Sequence, residues 1–267
     1  MNSKKKTNII FFDIDGTILS HRTFKISDST LSSIQMAKAK GNLIFINTGR
    51  TFAELDHTIK NIGFDGFVCG CGTYISYEKK VLLHQTLPTD LCRNLIHDLR
   101  TYQVEAVLEG SDAVYFDDRN LSPRLKEQRD FMENVFQITT YSWDQTDILF
   151  DKFCIWTDDA DTKKFLFEKY KNVFDFIERD KSIFYEVIPK AYSKATGIDF
   201  LIKHLNIPHE NTYAFGDGAN DLEMLQYVKN SIGMGNCDSD VKKIVTFLTK
   251  DVDEDGIEYA LTHFNLI

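Results

Sequence analysis

The sequence predicts an α/β fold: a parallel sheet built from both ends of the chain, interrupted by an α+β insert of about a hundred residues. Three observations carry this reading. Apolar runs alternate with helical stretches near both ends, joined by short links, which marks parallel βαβ units. Three of those runs stop abruptly at small or acidic residues: at Asp13, at Thr48 and at Asp217. Between the second and third, short strands and helices follow one another without such endings. The core is therefore expected over 1–84 and 187–267, and the insert over 85–186.

Composition limits the function classes. The 267 residues are enough for one large or two modest domains. A net charge of -9 argues against broad binding to a nucleic-acid backbone. It leaves room for a small anionic substrate, because a local cation or metal overrides the global sign. No stretch reaches the roughly 20 apolar residues of a membrane span, and Lys4-Lys5-Lys6 leads into no long apolar run. No signal peptide is expected, and the cytoplasm is the expected compartment. The five cysteines are irregularly spaced, so no disulfide framework is expected. Cys69-Gly70-Cys71 has no answering Cys/His pair and makes a poor zinc site.

The elements follow in order. Ile9 to Phe12 is a buried strand that ends at Asp13-Ile14-Asp15-Gly16-Thr17. Two acids one residue apart repel unless a cation or proton sits between them. Ser27 caps a helix to about Lys40, with Leu31, Ile34 and Met36 among its apolar positions, and Gly41 ends it. Leu43 to Asn47 is the second strand, ending at Thr48-Gly49-Arg50. Thr51-Phe52-Ala53-Glu54 is a capping box and opens the next helix. Strands follow over 67–69, 74–77 and 81–83, the last two as a hairpin, and Pro88 starts a helix to about 102.

The insert alternates strands over 104–108, 113–116, 152–156, 173–177 and 182–187 with helices over 123–135 and 161–170. The βα texture returns with a helix over 193–205, with Ile198, Leu201, Ile202 and Leu205 on one face. A strand over 212–215 ends at Gly216-Asp217-Gly218-Ala219-Asn220-Asp221. A helix to 227, a strand over 231–233, a helix from 238 and a terminal helix near 255–264 complete the chain.

In parallel sheets ligands gather beyond the carboxyl ends of the strands. Asp13 and Asp15, Thr48 and Gly49, and Asp217 and Asp221 all lie there. Carboxylates without Cys or His suit a hard cation bound through oxygen, and Mg2+ fits best. The acids at 251, 253, 254 and 255 lack an EF-hand's spacing and closing Glu and read as a solvated turn. Lys194 sits in the first turn of its helix, where a cation opposes the macrodipole. A rule broken there points to an anion to be met.

Asp-x-Asp-Gly-Thr, then Thr-Gly-Arg at a strand end, then Ser-Lys before a helix, then Gly-Asp-x-x-Asn-Asp, in this order, resembles the haloacid dehalogenase (HAD) superfamily. The insert resembles the type-II cap of its Cof-like (IIB) phosphatases. The resemblance covers essentially the whole chain. It implies a Rossmann-like core and a cap that closes over substrate. It implies Asp13 as nucleophile, forming an aspartyl-phosphate, and Asp15 as general acid and then base. Thr48, the Gly49 amide, Lys194 and Asn220 would hold the phosphoryl group or its loop. Asp217, the Asp13 carboxylate and the Asp15 carbonyl would ligate Mg2+, and Asp221 would hold the metal through water or orient the loop.

Two positions depart from the pattern. Cys71 stands where relatives often have Asn, and Ala195 where they more often have Gly. Asp15 needs a pKa high enough to donate a proton, which the neighbouring carboxylate would help provide. In the cap, Tyr115, Phe116, Arg119, Trp143 and Trp156 are candidates for substrate selection or for cap core. Arg50 is a candidate for steering anions or for a structural ion pair.

The expected function is Mg2+-dependent hydrolysis of a small phosphorylated metabolite, a sugar phosphate first among them. A phosphotransferase or mutase, or a non-catalytic phospho-aspartyl sensor, would use the same site. The residues name neither the substrate nor the oligomeric state.

Overall fold

The computed structural model describes residues 7–179 and 183–267. Lys4-Lys5-Lys6 and Ser182, which figured in the readings above, lie outside them. The first half comprises β1 (Ile9–Phe12), α1 (Asp28–Ala39), β2 (Leu43–Asn47), α2 (His57–Asn61), β3 (Gly66–Cys69), β4 (Tyr74–Tyr77), β5 (Lys80–His84) and α3 (Thr89–Thr101). The middle comprises β6 (Glu105–Glu109), β7 (Val114–Phe116), α4 (Pro123–Asn134), β8 (Thr140–Ser142), β9 (Lys152–Trp156), α5 (Ala160–Tyr170), β10 (Phe174–Arg179) and β11 (Phe184–Pro189). The last part comprises α6 (Lys194–His204), β12 (Thr212–Gly216), α7 (Leu222–Tyr227), β13 (Asn230–Gly233), α8 (Ser239–Ile244), β14 (Phe247–Leu248) and α9 (Gly256–His263).

Two sheets result. The core sheet runs β14-β13-β12-β1-β2-β3-β4-β5. It is parallel from β14 to β3, and the β4–β5 hairpin adds two antiparallel strands. β1 is central, with β2 and β12 on either side, so chain ends two hundred residues apart become neighbours. Its four residues are all buried, Ile10 and Phe12 under α1 and α9, Ile9 and Phe11 under α6, α7 and α8. Helices on both faces explain why β1 reads as a continuous apolar run.

The cap sheet runs β10-β11-β9-β6-β7-β8. One face packs on α3 and α5 through Leu95, Leu99, Leu166, Phe153 and Val187. Part of the other packs on α4 through Val107, Val114, Phe116 and Leu125. Among the described residues no helix is long and apolar enough to cross a membrane.

Several expectations change. The capping box at Thr51 forms, but it opens only one 3-10 turn (Phe52–Glu54). Asp56 then caps the separate short helix α2. Met36 faces solvent, because Ile34 and Ala37 already fill the buried stripe of α1. The short strands β8 and β14 went unread, since two or three residues carry no measurable alternation.

Candidate active site

The first strand end turns tightly. The Ile14 carbonyl accepts from the amides of Thr17, Ile18 and Leu19. Gly16 makes this possible: at φ +75 it sits so close to Asp217 that a Cβ would lie 2.1 Å from its Oδ2. The turn sends the two acids to different partners. Asp13 is buried and accepts from Lys194 Nζ at 2.6 Å. Asp15 receives Arg50 as a fork, Nε at 2.9 Å and a terminal nitrogen at 2.5 Å. Each carboxylate is thus paired with a different protein cation.

Lys194 projects from the first turn of α6, whose start is braced from two sides. Asn47 Nδ2 donates to the Lys194 carbonyl at 3.0 Å. Gly72 packs on Ser193, where a Cβ would meet the Ser193 carbonyl at 2.5 Å. The buried ammonium donates to Asp13 and, also at 2.6 Å, to Asp221 Oδ1. The anions it meets are therefore carboxylates of the protein. They outweigh the cost of burial and hold Lys194 above the ordinary lysine range.

Asp221 organises the loop after β12. Its Oδ2 accepts from the amides of Asp217 at 2.9 Å and Gly218 at 3.1 Å. With Lys194 on Oδ1, both oxygens are engaged by the protein. Asp217 reaches the opposite side, toward Thr17 Oγ1 at 3.3 Å. Asp13, Asp217 and Asp221 each offer an oxygen within 4.8 Å of the others.

The charge is unbalanced. Asp13, Asp15, Asp217 and Asp221 face Lys194 and Arg50, leaving an excess of two negative charges beside the exposed His21. Burial, then the Asp221 carboxylate, push Asp13 well above the usual range, and Lys194 offsets only part of this. The same two causes push Asp217 up to about 7. An oxygen-only donor set with uncompensated charge fits a divalent hard cation such as Mg2+.

Asp15 behaves otherwise than expected. Burial favours its neutral form, but the Arg50 charge and hydrogen bonds win, and its pKa falls below the ordinary value. The neighbouring carboxylate does not set it. Arg50 is thus an ion-pair partner of Asp15, and its guanidinium also lies 4.4 Å from the ring of Phe136, which follows α4 of the cap.

Thr48 is buried, and its Oγ1 accepts from the Arg50 amide at 3.2 Å. The Gly70-Cys71-Gly72 turn braces this loop: Cys71 N donates to the Thr48 carbonyl at 3.1 Å and Gly70 N to that of Arg50 at 2.7 Å. Cys71 holds a left-handed φ of 54 there.

These groups line a cleft of about 540 Å³ between core and cap. Asp13, Asp15, Thr48, Gly49, Asp217 and Asn220 all face it; Lys194 lies behind Asp13. From the cap come Lys152, Cys154, Glu178, Phe184 and Glu186. None of these cap residues was a candidate. The five that were lie outside this lining. Trp143 and Phe116 are buried in the cap, and Arg119 pairs with Asp144. Trp156 stacks on Phe184 at 4.8 Å, behind the cleft wall, and Tyr115 packs against the cap core.

A parallel core with acids at two strand ends and a lysine between them, roofed by an inserted α+β cap, is the architecture of a capped phosphoryl-transfer hydrolase. The family model of haloacid dehalogenase-like hydrolases matches residues 10–261, and the chain belongs to this family. YkrA of Bacillus subtilis (strain 168) is 30% identical over 270 residues, covering 98% of this chain and 99% of its own. The 5-amino-6-(5-phospho-D-ribitylamino)uracil phosphatase YitU of the same organism is 28% identical, covering 97% and 98%. The solved HAD subclass IIB sugar phosphatase BT4131 superposes with a TM-score of 0.81 at 26% identity, covering 97% of this chain and 100% of its own. The protein is a HAD-type phosphatase with a subclass IIB cap.

Proposed function

We propose that the protein is a Mg2+-dependent phosphatase that hydrolyses a small phosphorylated metabolite, with sugar phosphates the leading class, through an aspartyl-phosphate on Asp13. The supporting observation is the cluster of Asp13, Asp217 and Asp221 around Lys194 at the carboxyl ends of β1 and β12. Asp13 and Asp217 would hold the metal with the Asp15 carbonyl, while Asp221 orients the loop that carries Asp217. Bound there, Mg2+ would offset the excess negative charge and the charge of the phosphoryl oxygens.

The chain's own residues account for the remaining chemistry. The Asp13 carboxylate attacks phosphorus, and the bond from phosphorus to the ester oxygen breaks. Thr48 Oγ1, the Gly49 amide and Asn220 border the place where the phosphoryl oxygens would lie. Asp15 delivers its proton to the departing alkoxide. Ionised Asp15 then takes a proton from water, whose oxygen displaces Asp13 from phosphorus. The Arg50 fork suits the ionised form in the second half and must loosen in the first. The cap keeps bulk water from the acyl phosphate. A cleft of about 540 Å³ favours a small leaving group over a protein. Five buried cysteines, none of them in a disulfide among the described residues, suit a reducing compartment such as the cytoplasm.

A panel of phosphorylated metabolites and an aryl phosphate, assayed for phosphate release with Mg2+, tests the proposal. Turnover should be lost with EDTA and restored by Mg2+. Asp13→Asn should lower it by about 10³-fold or more while the fold is kept. A stable phosphoprotein without turnover would replace the enzyme with a sensor.

A further inference from the structure

The cap presents a buried ionic cluster to the cleft that none of the chemistry above uses. Antiparallel register places its members on one face of the cap sheet: Glu109 opposite Lys152, and Glu186 opposite Cys154. Lys152 Nζ pairs with Glu109 and lies 3.1 Å from Glu186 Oε1. All three side chains are less than a tenth exposed. Glu186 reaches across to the core. Cys71 Sγ stands 3.3 Å from its Oε1. A Cβ built on Gly49 would lie 3.1 Å from the same oxygen. A cap carboxylate therefore borders the loop that would hold the phosphoryl group, where the first atoms of the leaving group must pass.

We propose that Glu186, held in place by Lys152 and Glu109, is the residue that reads the leaving group, selecting substrates that offer a hydroxyl or amine donor near the ester oxygen and rejecting those with a second anion there. This rests on the phosphatase reading above and adds the chemical class of its substrate. The reasoning is one of inventory. An ionised carboxylate only accepts hydrogen bonds, so a donor facing it is bound and a second carboxylate or phosphate is repelled. Glu109 holds Lys152 from behind, which keeps the ammonium from turning to a second anion in the cleft. Glu178 lines the same cleft and adds another acceptor, while the Phe184 ring supplies an apolar wall for the carbon chain of a polyol. Cys71 lends the carboxylate a weak thiol donor and ties the cap to the loop that carries Thr48 and Gly49.

Two small substrates separate the outcomes: glycerol 3-phosphate, whose leaving group ends in hydroxyls, and 3-phosphoglycerate, of similar size but ending in a carboxylate. With the full chain and Mg2+, wild type should favour glycerol 3-phosphate in kcat/KM by at least about tenfold. Glu186→Gln, isosteric and able to donate, should cut that ratio by about tenfold, mainly through a lower KM for 3-phosphoglycerate. Equal use of the two by wild type overturns the proposal without any variant. A wild-type preference that Glu186→Gln leaves unmoved overturns the role of Glu186. An aryl phosphate run alongside keeps the two readings apart. Its turnover with no discrimination defeats only the selection by Glu186, whereas no turnover of any phosphate ester defeats the phosphatase reading as well.

Discussion

Two buried lysines in this molecule sit between paired carboxylates, and they do different things. Lys194 in the core lies between Asp13 and Asp221. Lys152 in the cap lies between Glu109 and Glu186. Local physics is shared: in each, burial works against the lysine's charge and two carboxylates restore it. The surroundings differ. The core cluster stands at the ends of parallel strands, where Asp217 adds a further carboxylate faced by the exposed His21 and loop amides converge on Asp221. The cap cluster stands on the face of an antiparallel sheet, one lysine between two carboxylates, with Glu109 set behind it. On the proposed function, the first arrangement would accept a cation and a reacting group, and the second would present a fixed surface to what the first has bound.

Removing the two lysines tests that difference most strongly. Lys194→Met leaves Asp13 and Asp221 buried without their cation. It should abolish turnover and cost about 3–5 kcal/mol in chemical denaturation. Added Mg2+ should recover part of the stability and none of the turnover. Lys152→Met should cost less, about 1–3 kcal/mol, because Glu109 is already pushed up to about 7 and can take a proton. Turnover should persist with altered substrate preference. Equal losses of stability and turnover in the two variants would erase the distinction.

Arg50→Met probes the link between the regions, since Arg50 grips Asp15 and stacks on the cap's Phe136. The native Asp15 pKa is depressed, so the ion pair's contribution is present above the ordinary aspartate range. It is lost as pH falls through the depressed value. Wild-type melting temperature should therefore drop on acidification below about pH 4, and the variant's should drop less. In the variant, Asp15 should also stay protonated to higher pH, moving that limb of the kcat/KM profile upward.

The smallest effect concerns Glu109. Burial, then the Glu54 carboxylate, raise its pKa, with Lys152 opposing, so the native state binds a proton the unfolded chain has released. That contribution is complete below the ordinary glutamate value of about 4.3 and fades as pH rises to about 7. Denaturant midpoints measured across this window should fall with pH in wild type and stay flatter in Glu109→Gln.

The core cluster was legible in the sequence and the cap cluster was not. Asp13, Thr48 and Asp217 each follow an apolar run and stop it, so sequence neighbours reveal the strand end and the topology of a parallel sheet gathers the ends. Lys194 broke a helix-end preference, which drew notice to it, though the anions it meets proved to be those of the protein. Lys152 opens an unremarkable strand, and Glu186 lies within another. No local rule is broken at either, and the aromatic residues that did stand out in the cap turned out to pack its interior or back the cleft wall. The family resemblance singled out Cys71, yet only the tertiary structure shows the Glu186 carboxylate it faces.

By itself, then, the sequence determined the parallel core, the α+β insert and the acids and small residues at the strand ends, which follow from periodicity, turn chemistry and charge within a few residues of chain; the family resemblance of the ordered motifs is what pointed from them to phosphoryl chemistry and a cap. Tertiary structure decided which cation each acid keeps, Lys194 for Asp13 and Arg50 for Asp15, and how burial and neighbouring carboxylates weigh against it, so that Asp13 is pushed up and Asp15 held down. It also decided which cap side chains line the cleft. Those pairings join residues 35 to 181 positions apart, through strand register and helix placement that no local pattern encodes.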